Sequence, residues 1–264
     1  MADPRGWELP AHDLLELGPR QADYAVVIPV INEGERIQRQ LAKMRMFTSI
    51  VDIIVVDGGS TDNSLAGEIL RDAGVRALAA KTGPGRLGAQ LRIGLAWAMD
   101  EGYDGVVMID GNDKDNSAAI PAFVDALRGG ADHVQGSRYV PGGIAENTPL
   151  LRHLAVKLVH APLISIAARH RYTDTTNGFR AYSRKFLLDD RVKPFRDVFT
   201  GYELHYYLAI RAARLGFRVI ELPVERRYPA GRAPTKIRGM AGNLEVLLAL
   251  LRTCLGVFDP EKTC

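Results

Sequence analysis

Three short polar clusters in this sequence combine residue types that bind nucleotides and divalent cations. They are Asn32–Glu33, Asp57–Gly59 and Asp110–Asp113. Amide and carboxylate oxygens accept hydrogen bonds from a base or a ribose, and a glycine lets a ligand approach the backbone closely. Clustered carboxylates bind Mg²⁺ or Mn²⁺, which is usually shared with a diphosphate. The three clusters could therefore form one nucleotide site if the fold brings them together.

Taken singly, each cluster also has a purely structural explanation. Asn32 could cap a helix that has Glu35 at its third position. The segments Asp57–Gly59 and Asp110–Asp113 could be ordinary polar turns. A glycine- and arginine-rich segment, Gly83–Leu95, could bind an anion at a helix start, but its spacing matches neither GxGxxG nor a P-loop. The order of these motifs along the chain is more informative than any one of them.

Buried strands must position these clusters. Apolar, β-branched runs predict strands at Tyr24–Val30, Asp52–Asp57, Val75–Ala80, Gly105–Asp110 and His133–Ser137. Strands that are apolar throughout and alternate with helices indicate an α/β doubly wound fold, with a mostly parallel sheet and helices on both faces. Such sheets bind ligands at the carboxyl ends of their strands, and all three clusters lie at such ends.

The second half of the chain is more helical. Leu150–Arg169 predicts an amphipathic helix that Pro162 kinks or ends. Further elements are expected at Tyr202–Leu215 (helix), Phe217–Val224 (strand) and Leu244–Leu255 (apolar helix). The expected organisation is an N-terminal arm over residues 1–23, the sheet domain over 24–240, and a C-terminal apolar helix and tail over 241–264.

Composition narrows the class of protein. A chain of 264 residues fits one large domain, and a net charge of +3 is too small to indicate nucleic acid as a partner. The cysteines, Cys254 and Cys264, form no metal or redox motif and indicate a reducing compartment. We see no leader peptide and no apolar run of the roughly 18 residues that span a membrane. We therefore expect a cytoplasmic protein, with the option that it lies against the inner face of a membrane.

In sequence order, PVINE, DGGSTD, GRLGAQLRIG and a DxD-like turn resemble the family 2 glycosyltransferases. The later segments DHVQGSRY, DTTNGFRAYSR and GYELHYYLAIRAARLGFRVIELPV resemble the dolichol- or polyprenyl-phosphate sugar synthase branch of that family. The resemblance covers the chain from Tyr24 to Gly239. It implies a GT-A fold, a UDP- or GDP-sugar donor, inversion at the anomeric carbon and a lipid phosphate as acceptor.

The resemblance also implies roles for individual residues of the donor site. The nucleotide would be held by Pro29, Asn32, Glu33, Asp57, Gly59, Gly88, Gln90 and Asp110. A Mg²⁺ or Mn²⁺ ion with the diphosphate would be bound by Asp110 and Asn112.

On the acceptor side, the resemblance implies that Arg138 and Arg180 grip the acceptor phosphate, since a guanidinium binds two oxygens at once. Arg232 and Lys236 would close over the donor diphosphate. A phosphate acceptor is already ionised, so catalysis would consist of positioning and charge stabilisation. A soluble acceptor would instead need a general base, for which Asp174 and Glu203 are the candidates.

Three departures from the family pattern bear on the metal and the acceptor. Gly58 and Asn112 stand where the family usually has aspartates, and Lys114 stands where it often has glutamine. We expect metal dependence to be weakened by Lys114, or Asp113 to replace the missing ligand. Asp115-Asn116-Ser117 replaces the usual Asp-Pro-Pro or His-Pro-Pro, which leaves open a soluble small-molecule or saccharide acceptor.

Other functions remain as alternatives. A sugar nucleotidyltransferase would carry a glycine-rich basic loop after the first strand, where this chain has INEGER. A nicotinamide oxidoreductase would carry GxGxxG there. An inactive nucleotide-sugar-binding scaffold is favoured only by the altered DxD motif. The apolar helices could form a homodimer contact as well as a membrane surface.

Overall fold

The computed structural model describes residues 5–229 and 239–260. Its strands are β1 His12–Glu16, β2 Tyr24–Val30, β3 Val51–Asp57, β4 Val75–Lys81, β5 Gly105–Met108, β6 His133–Ser137, β7 Ile144–Glu146, β8 Arg180–Ser183, β9 Val219–Pro223 and β10 Glu225–Arg227. Eight of them form one sheet in the order β1-β4-β3-β2-β5-β8-β6-β9, and β7 pairs with β10. Neighbours β4, β3, β2 and β5 run parallel, as do β6 and β9.

Helices cover both faces of this sheet. The α-helices are α1 Glu35–Met44, α2 Gly67–Asp72, α3 Leu87–Asp100, α4 Ile120–Arg128, α5 Leu150–Ala155, α6 Ala161–Ala168, α7 Arg184–Leu187, α8 Glu203–Arg214 and α9 Gly239–Cys254. Short 3₁₀ turns at Arg45–Phe47 and Ser117–Ala119 extend α1 and precede α4.

The central strand β2 is buried on both faces. Its alternate residues Val26 and Ile28 pack into one apolar core, while Ala25 and Val27 pack into the other. Helix α3 lies close on this strand because residue 94 is glycine: a Cβ there would be 2.5 Å from Val27 Cγ1. The expected two-sided α/β sheet is therefore present, and its tight packing fixes the strand ends that form the site.

Two antiparallel strands were not expected from the sequence. β1 lies in the predicted N-terminal arm and pairs with the edge of β4, so the arm extends the sheet. β8 runs antiparallel between β5 and β6. Because β8 begins at Arg180, this insertion places the preceding segment beside the carboxyl end of β5.

The apolar segment of the second half forms one continuous helical stretch. A π-helical turn, Val156–His160, joins α5 to α6, and Pro162 follows this turn within the same stretch, so the proline does not end the helix. Leu150–Ala168 is 19 residues long with a mean hydropathy of 1.4, so by length and composition it could cross a membrane. The expectation that no segment reaches this length was wrong. In this structure only 22% of its most apolar window is buried.

Candidate active site

The carboxyl ends of β2 and β3 are joined by polar side chains. Asn32 has a left-handed backbone (φ 48°) and its Oδ1 accepts the N–H of Thr61 at 2.8 Å. The N–H of Asn32 donates to Ser60 Oγ at 2.9 Å. Asp57 accepts the backbone N–H of Ser60 at 2.9 Å and its hydroxyl at 2.6 Å. The first two clusters therefore meet, and they hold each other's loops in a fixed shape.

The other residues expected at the nucleotide lie around this junction. Pro29 is the penultimate residue of β2 and is half-buried. Glu33 is 9% exposed and pairs with Arg36 at 2.7 Å. Gly59 has φ +97°, a conformation that disfavours any side chain, and the space beside it is open.

Gln90 and Gly88 have supporting positions beneath the site. Gln90 is buried, and its Nε2 donates to the carbonyls of Val30 at 2.9 Å and Val56 at 2.8 Å, which ties β2 to β3. A Cβ on Gly58 would lie 3.0 Å from the Gln90 amide, so a side chain at that position would have to shift Gln90 slightly. A Cβ on Gly88 would be 2.7 Å from the carbonyl oxygen of Phe199, so this glycine lets α3 approach the loop before α8.

Asp110, just beyond β5, is the partly exposed carboxylate of the site. Its side chain is 27% exposed. The carboxylate rests directly on the backbone of Gly178, where a Cβ would be 2.3 Å from Oδ1. On its other side, Nη2 of Arg226 donates to Asp110 Oδ2 at 3.1 Å. Asp110 is thus held from two directions by segments remote in sequence.

Arg226, on β10, is a site residue that the sequence did not indicate. Its guanidinium also donates to Asp115, whose side chain is fully buried. Burial would lower the pKa of Arg226, but the carboxylates of Asp115 and Asp110 outweigh burial and raise it. Burial raises the pKa of Asp115, and the Arg226 charge opposes this rise. The partners are more than a hundred residues apart in the chain, so no local signal could have identified the contact.

The residues expected to hold Mg²⁺ or Mn²⁺ are bonded to other side chains and to the backbone in this structure. Asn112 Nδ2 lies 3.5 Å from Asp110 Oδ2, and its Oδ1 accepts the N–H of Lys114 at 3.3 Å. Asp113 pairs through one oxygen with Lys43 at 2.7 Å and through the other with Arg39 at 3.5 Å. Among residues 5–229 and 239–260, no three His, Cys, Asp or Glu side chains form a group that could hold a metal.

Lys114 adds a second cation to this part of the molecule. It is 9% exposed, and burial together with the charge of Arg226 lowers its pKa. Its Nζ lies 5.2 Å from the ring centroid of Tyr228. Arg152 of α5 donates to the Tyr228 hydroxyl at 3.0 Å, so α5 is connected to the same cluster.

Arg138 and Asp174 form an enclosed ion pair, contrary to the expected roles of phosphate grip and general base. Nε and Nη2 of Arg138 donate to the two oxygens of Asp174 at 2.6 and 3.0 Å. Their side chains are 1% and 0% exposed. Burial alone would raise the pKa of Asp174, but the charge and hydrogen bonds of Arg138 lower it. Asp174 is thus a weak base held by its partner, and Arg138 is not presented to a ligand.

Arg180 likewise differs from the expected phosphate ligand. It is 1% exposed, and its three nitrogens donate to the carbonyls of Asn177, His205 and Thr175 at 2.9, 2.6 and 2.7 Å. Because these nitrogens are bonded to backbone carbonyls, the Arg180 side chain links β8 to α8.

Glu203 opens α8 rather than facing an open cleft. It is 7% exposed, and its Oε1 accepts the N–H of Gly201 at 2.6 Å and the N–H of Thr200. This capping engages Oε1 of Glu203 with the backbone of its own turn. Arg232 and Lys236 lie outside the described residues.

Comparisons with known proteins agree with this architecture. The family model for glycosyl transferase family 2 matches residues 25–190. Polyprenol monophosphomannose synthase of Mycolicibacterium smegmatis is 32% identical over 205 residues, which cover 75% of each chain. Dolichyl-phosphate hexose transferase of Haloferax volcanii is 32% identical over 234 residues, covering 88% of this chain and 94% of the relative.

Among solved structures, glucosyl-3-phosphoglycerate synthase from Mycobacterium tuberculosis has a similar fold. Its complex with Mn²⁺, UDP and glucosyl-3-phosphoglycerate gives a TM-score of 0.59 over 90% of this chain and 81% of that chain, at 20% identity. This likeness confirms the GT-A fold, and at that identity it shows the fold alone.

Proposed function

The chain belongs to glycosyl transferase family 2, and we propose that it transfers a sugar, with inversion, from a nucleoside diphosphate sugar to the phosphate of a polyprenyl lipid. It is a glycosyltransferase, and its relatives include named polyprenyl- and dolichyl-phosphate sugar transferases. The donor class, UDP- or GDP-sugar, and the lipid acceptor are the parts of the proposal that need testing.

The donor would lie over the strand ends of β2, β3 and β5. Asn32 and Asp57 are fixed there by Thr61 and Ser60, so their remaining lone pairs are presented in a defined geometry. Asp110 is the partly exposed carboxylate just beyond β5. This arrangement supports a nucleoside at the first two clusters and the diphosphate near Asp110.

The hydrogen bonds made by the carboxylates of Asp174 and Glu203 favour a phosphate acceptor. An acceptor phosphate oxygen attacks the anomeric carbon as an anion, and the bond from that carbon to the donor diphosphate breaks on the opposite face. No proton has to be removed. The two candidate bases for a hydroxyl acceptor are both engaged: Asp174 by Arg138, and Glu203 by the backbone of Thr200 and Gly201.

The observation that carries the lipid assignment is the exposed apolar surface beside the site, formed by α5, the π-helical turn and α6. Leu151, Leu158 and Ile166 are 79%, 70% and 75% exposed. Arg152 and Lys157 lie among them, as is typical of a helix that rests in the headgroup region of a membrane. Because Arg152 also contacts Tyr228, the same helix reaches from a lipid surface to the site. We propose that this surface docks on the membrane that holds the acceptor.

The proposal is tested by transfer and by vesicle binding. Purified protein is assayed with UDP- and GDP-sugars against a short polyprenyl phosphate and, separately, a soluble phosphate monoester. We expect product from the lipid phosphate. Product from the soluble acceptor alone would refute the lipid assignment, and neither transfer nor donor hydrolysis with any sugar nucleotide would favour the scaffold alternative.

The surface is tested by cosedimentation with anionic phospholipid vesicles. The variant L151E/L158E should bind at least tenfold more weakly than wild type, because it places charge on the lipid-facing surface. Met46→Glu is the matched control, since Met46 is 76% exposed but follows α1. Equal binding by wild type and L151E/L158E would contradict the docking surface.

A further inference from the structure

We propose that Arg226 is a built-in counter-ion of Asp110, and that it takes the place of a divalent cation so that the donor diphosphate binds without metal. The inference rests on the proposed donor site. Arg226 neutralises the carboxylate of Asp110, which would otherwise be a ligand of the metal.

The position of Arg226 makes it compete with a cation for Asp110. Its Nη2 donates to Asp110 Oδ2 at 3.1 Å, while Oδ1 faces the backbone of Gly178. A metal that bound Oδ2 would lie against the positive charge of the guanidinium. The charge of Asp110 is meanwhile already balanced by a group fixed in the fold.

Asp115 holds Arg226 in this position. The two side chains are 0% and 9% exposed, and the backbones of the two residues form a β-bridge. Moving Arg226 away would leave the Asp115 carboxylate buried without its partner, which is strongly unfavourable. The guanidinium is therefore a permanent part of the site.

The neighbouring DxD-like residues do not assemble an alternative metal site. Asn112 is neutral and hydrogen-bonds to the backbone of Lys114, and Asp113 is paired with Lys43 and Arg39. Two buried cations, Arg226 and Lys114, thus lie in this part of the molecule. A diphosphate that approaches Asp110 meets positive charge supplied by the protein itself.

Metal binding and nucleotide binding can be measured separately on the full chain. The free Mn²⁺ signal in electron paramagnetic resonance reports ion binding with and without UDP or GDP. Calorimetry gives the nucleotide Kd in EDTA and in Mn²⁺. We expect no stoichiometric Mn²⁺ binding and a nucleotide Kd that differs less than twofold between the two conditions.

A charge-neutral pair of substitutions provides the converse test. D115N/R226M removes one negative and one positive charge, so Asp110 loses its counter-ion while the net charge stays the same. This variant should gain Mn²⁺ binding, and its nucleotide Kd should become at least tenfold weaker in EDTA. Arg227→Met, at the neighbouring residue of β10, is the control and should behave as wild type, because Arg227 is 64% exposed and pairs with Glu146.

The outcomes separate the inference from the proposed function. Wild-type protein that binds UDP or GDP only with Mn²⁺, or binds Mn²⁺ one to one, would overturn the inference and leave the glycosyltransferase donor site intact. No binding of either nucleotide under any condition would overturn the proposed donor site and the inference together.

Discussion

The carboxylate of Asp110 lies on the backbone of Gly178, so close that a single added Cβ would be 2.3 Å from Oδ1. No side chain can occupy that space without moving the carboxylate. The segment before β8 therefore supports the carboxylate of Asp110. Glycine is required at position 178 because this segment and the carboxylate approach each other so closely.

The variant Gly178→Ala should lower kcat by about a hundredfold, because a displacement of about 1 Å in a positioned group is enough for such a loss. Steady-state transfer assays measure the change, and circular dichroism checks that the fold is kept. Gly18→Ala is the matched control, since no atom lies within 4 Å of a Cβ at that position. Wild-type kcat in Gly178→Ala would show that the position of Asp110 is unimportant.

The variant Arg138→Met should lower the free energy of unfolding by about 3–5 kcal/mol, because it leaves the buried Asp174 carboxylate unpaired. Urea denaturation measures this, and R138M/D174N should recover part of the loss. Arg191→Met removes an exposed pair with Asp189 and should leave the free energy of unfolding nearly unchanged. If Arg138→Met were as stable as Arg191→Met and instead raised the KM for the acceptor, Arg138 would be a phosphate ligand after all.

The variant Gln90→Leu should destabilise the protein by about 1–3 kcal/mol and weaken nucleotide binding, because the two side-chain bonds of Gln90 that bridge the ends of β2 and β3 are lost. Thermal shift with UDP and GDP measures both effects. Gln38→Leu is the control, since Gln38 makes a single long bond of 3.5 Å to Ser64. Unchanged nucleotide affinity in Gln90→Leu would show that the strand ends hold their geometry without this bridge.

Stability should fall as the solution becomes more acidic because of buried histidine. Burial and the charge of Arg180 lower the pKa of His133 to about 3, below the value of about 6.5 in the unfolded chain. The folded state thus binds fewer protons than the unfolded state between these values. The neutral His133 therefore leaves the free energy of unfolding at its full value above about pH 6.5. Below that pH, the free energy of unfolding falls by up to about 1.4 kcal/mol per pH unit until the pH reaches about 3.

The variant His133→Phe tests this linkage, since it keeps the ring stacked on Tyr182, whose centroid is 5.1 Å away. Urea denaturation from pH 8 to 4 should give a shallower decline in unfolding free energy than wild type. Identical slopes in the two proteins would assign the acid sensitivity to other groups.

Much of the framework could be predicted from local sequence. The run Tyr24–Val30 is apolar throughout and is β2 within the same bounds, as His133–Ser137 is β6. β8 was missed because four residues, Arg180–Ser183, that begin with a charge carry no clear strand pattern. β1 was missed because its side chains are largely exposed at the edge of the sheet.

The sequence by itself determined the α/β fold, the family and the position of Asn32, Asp57 and Asp110 at the ends of strands. These follow from patterns a few residues long and from the rule that parallel strands end at one edge. Only the tertiary structure decided which charged side chains are accessible to a ligand. Arg138 and Arg180 are buried and bonded within the protein. Arg226 contacts Asp110, from which it is 116 positions away in the sequence. Whether a charged side chain is buried or paired depends on contacts between distant segments of the chain. A short sequence motif cannot predict such contacts.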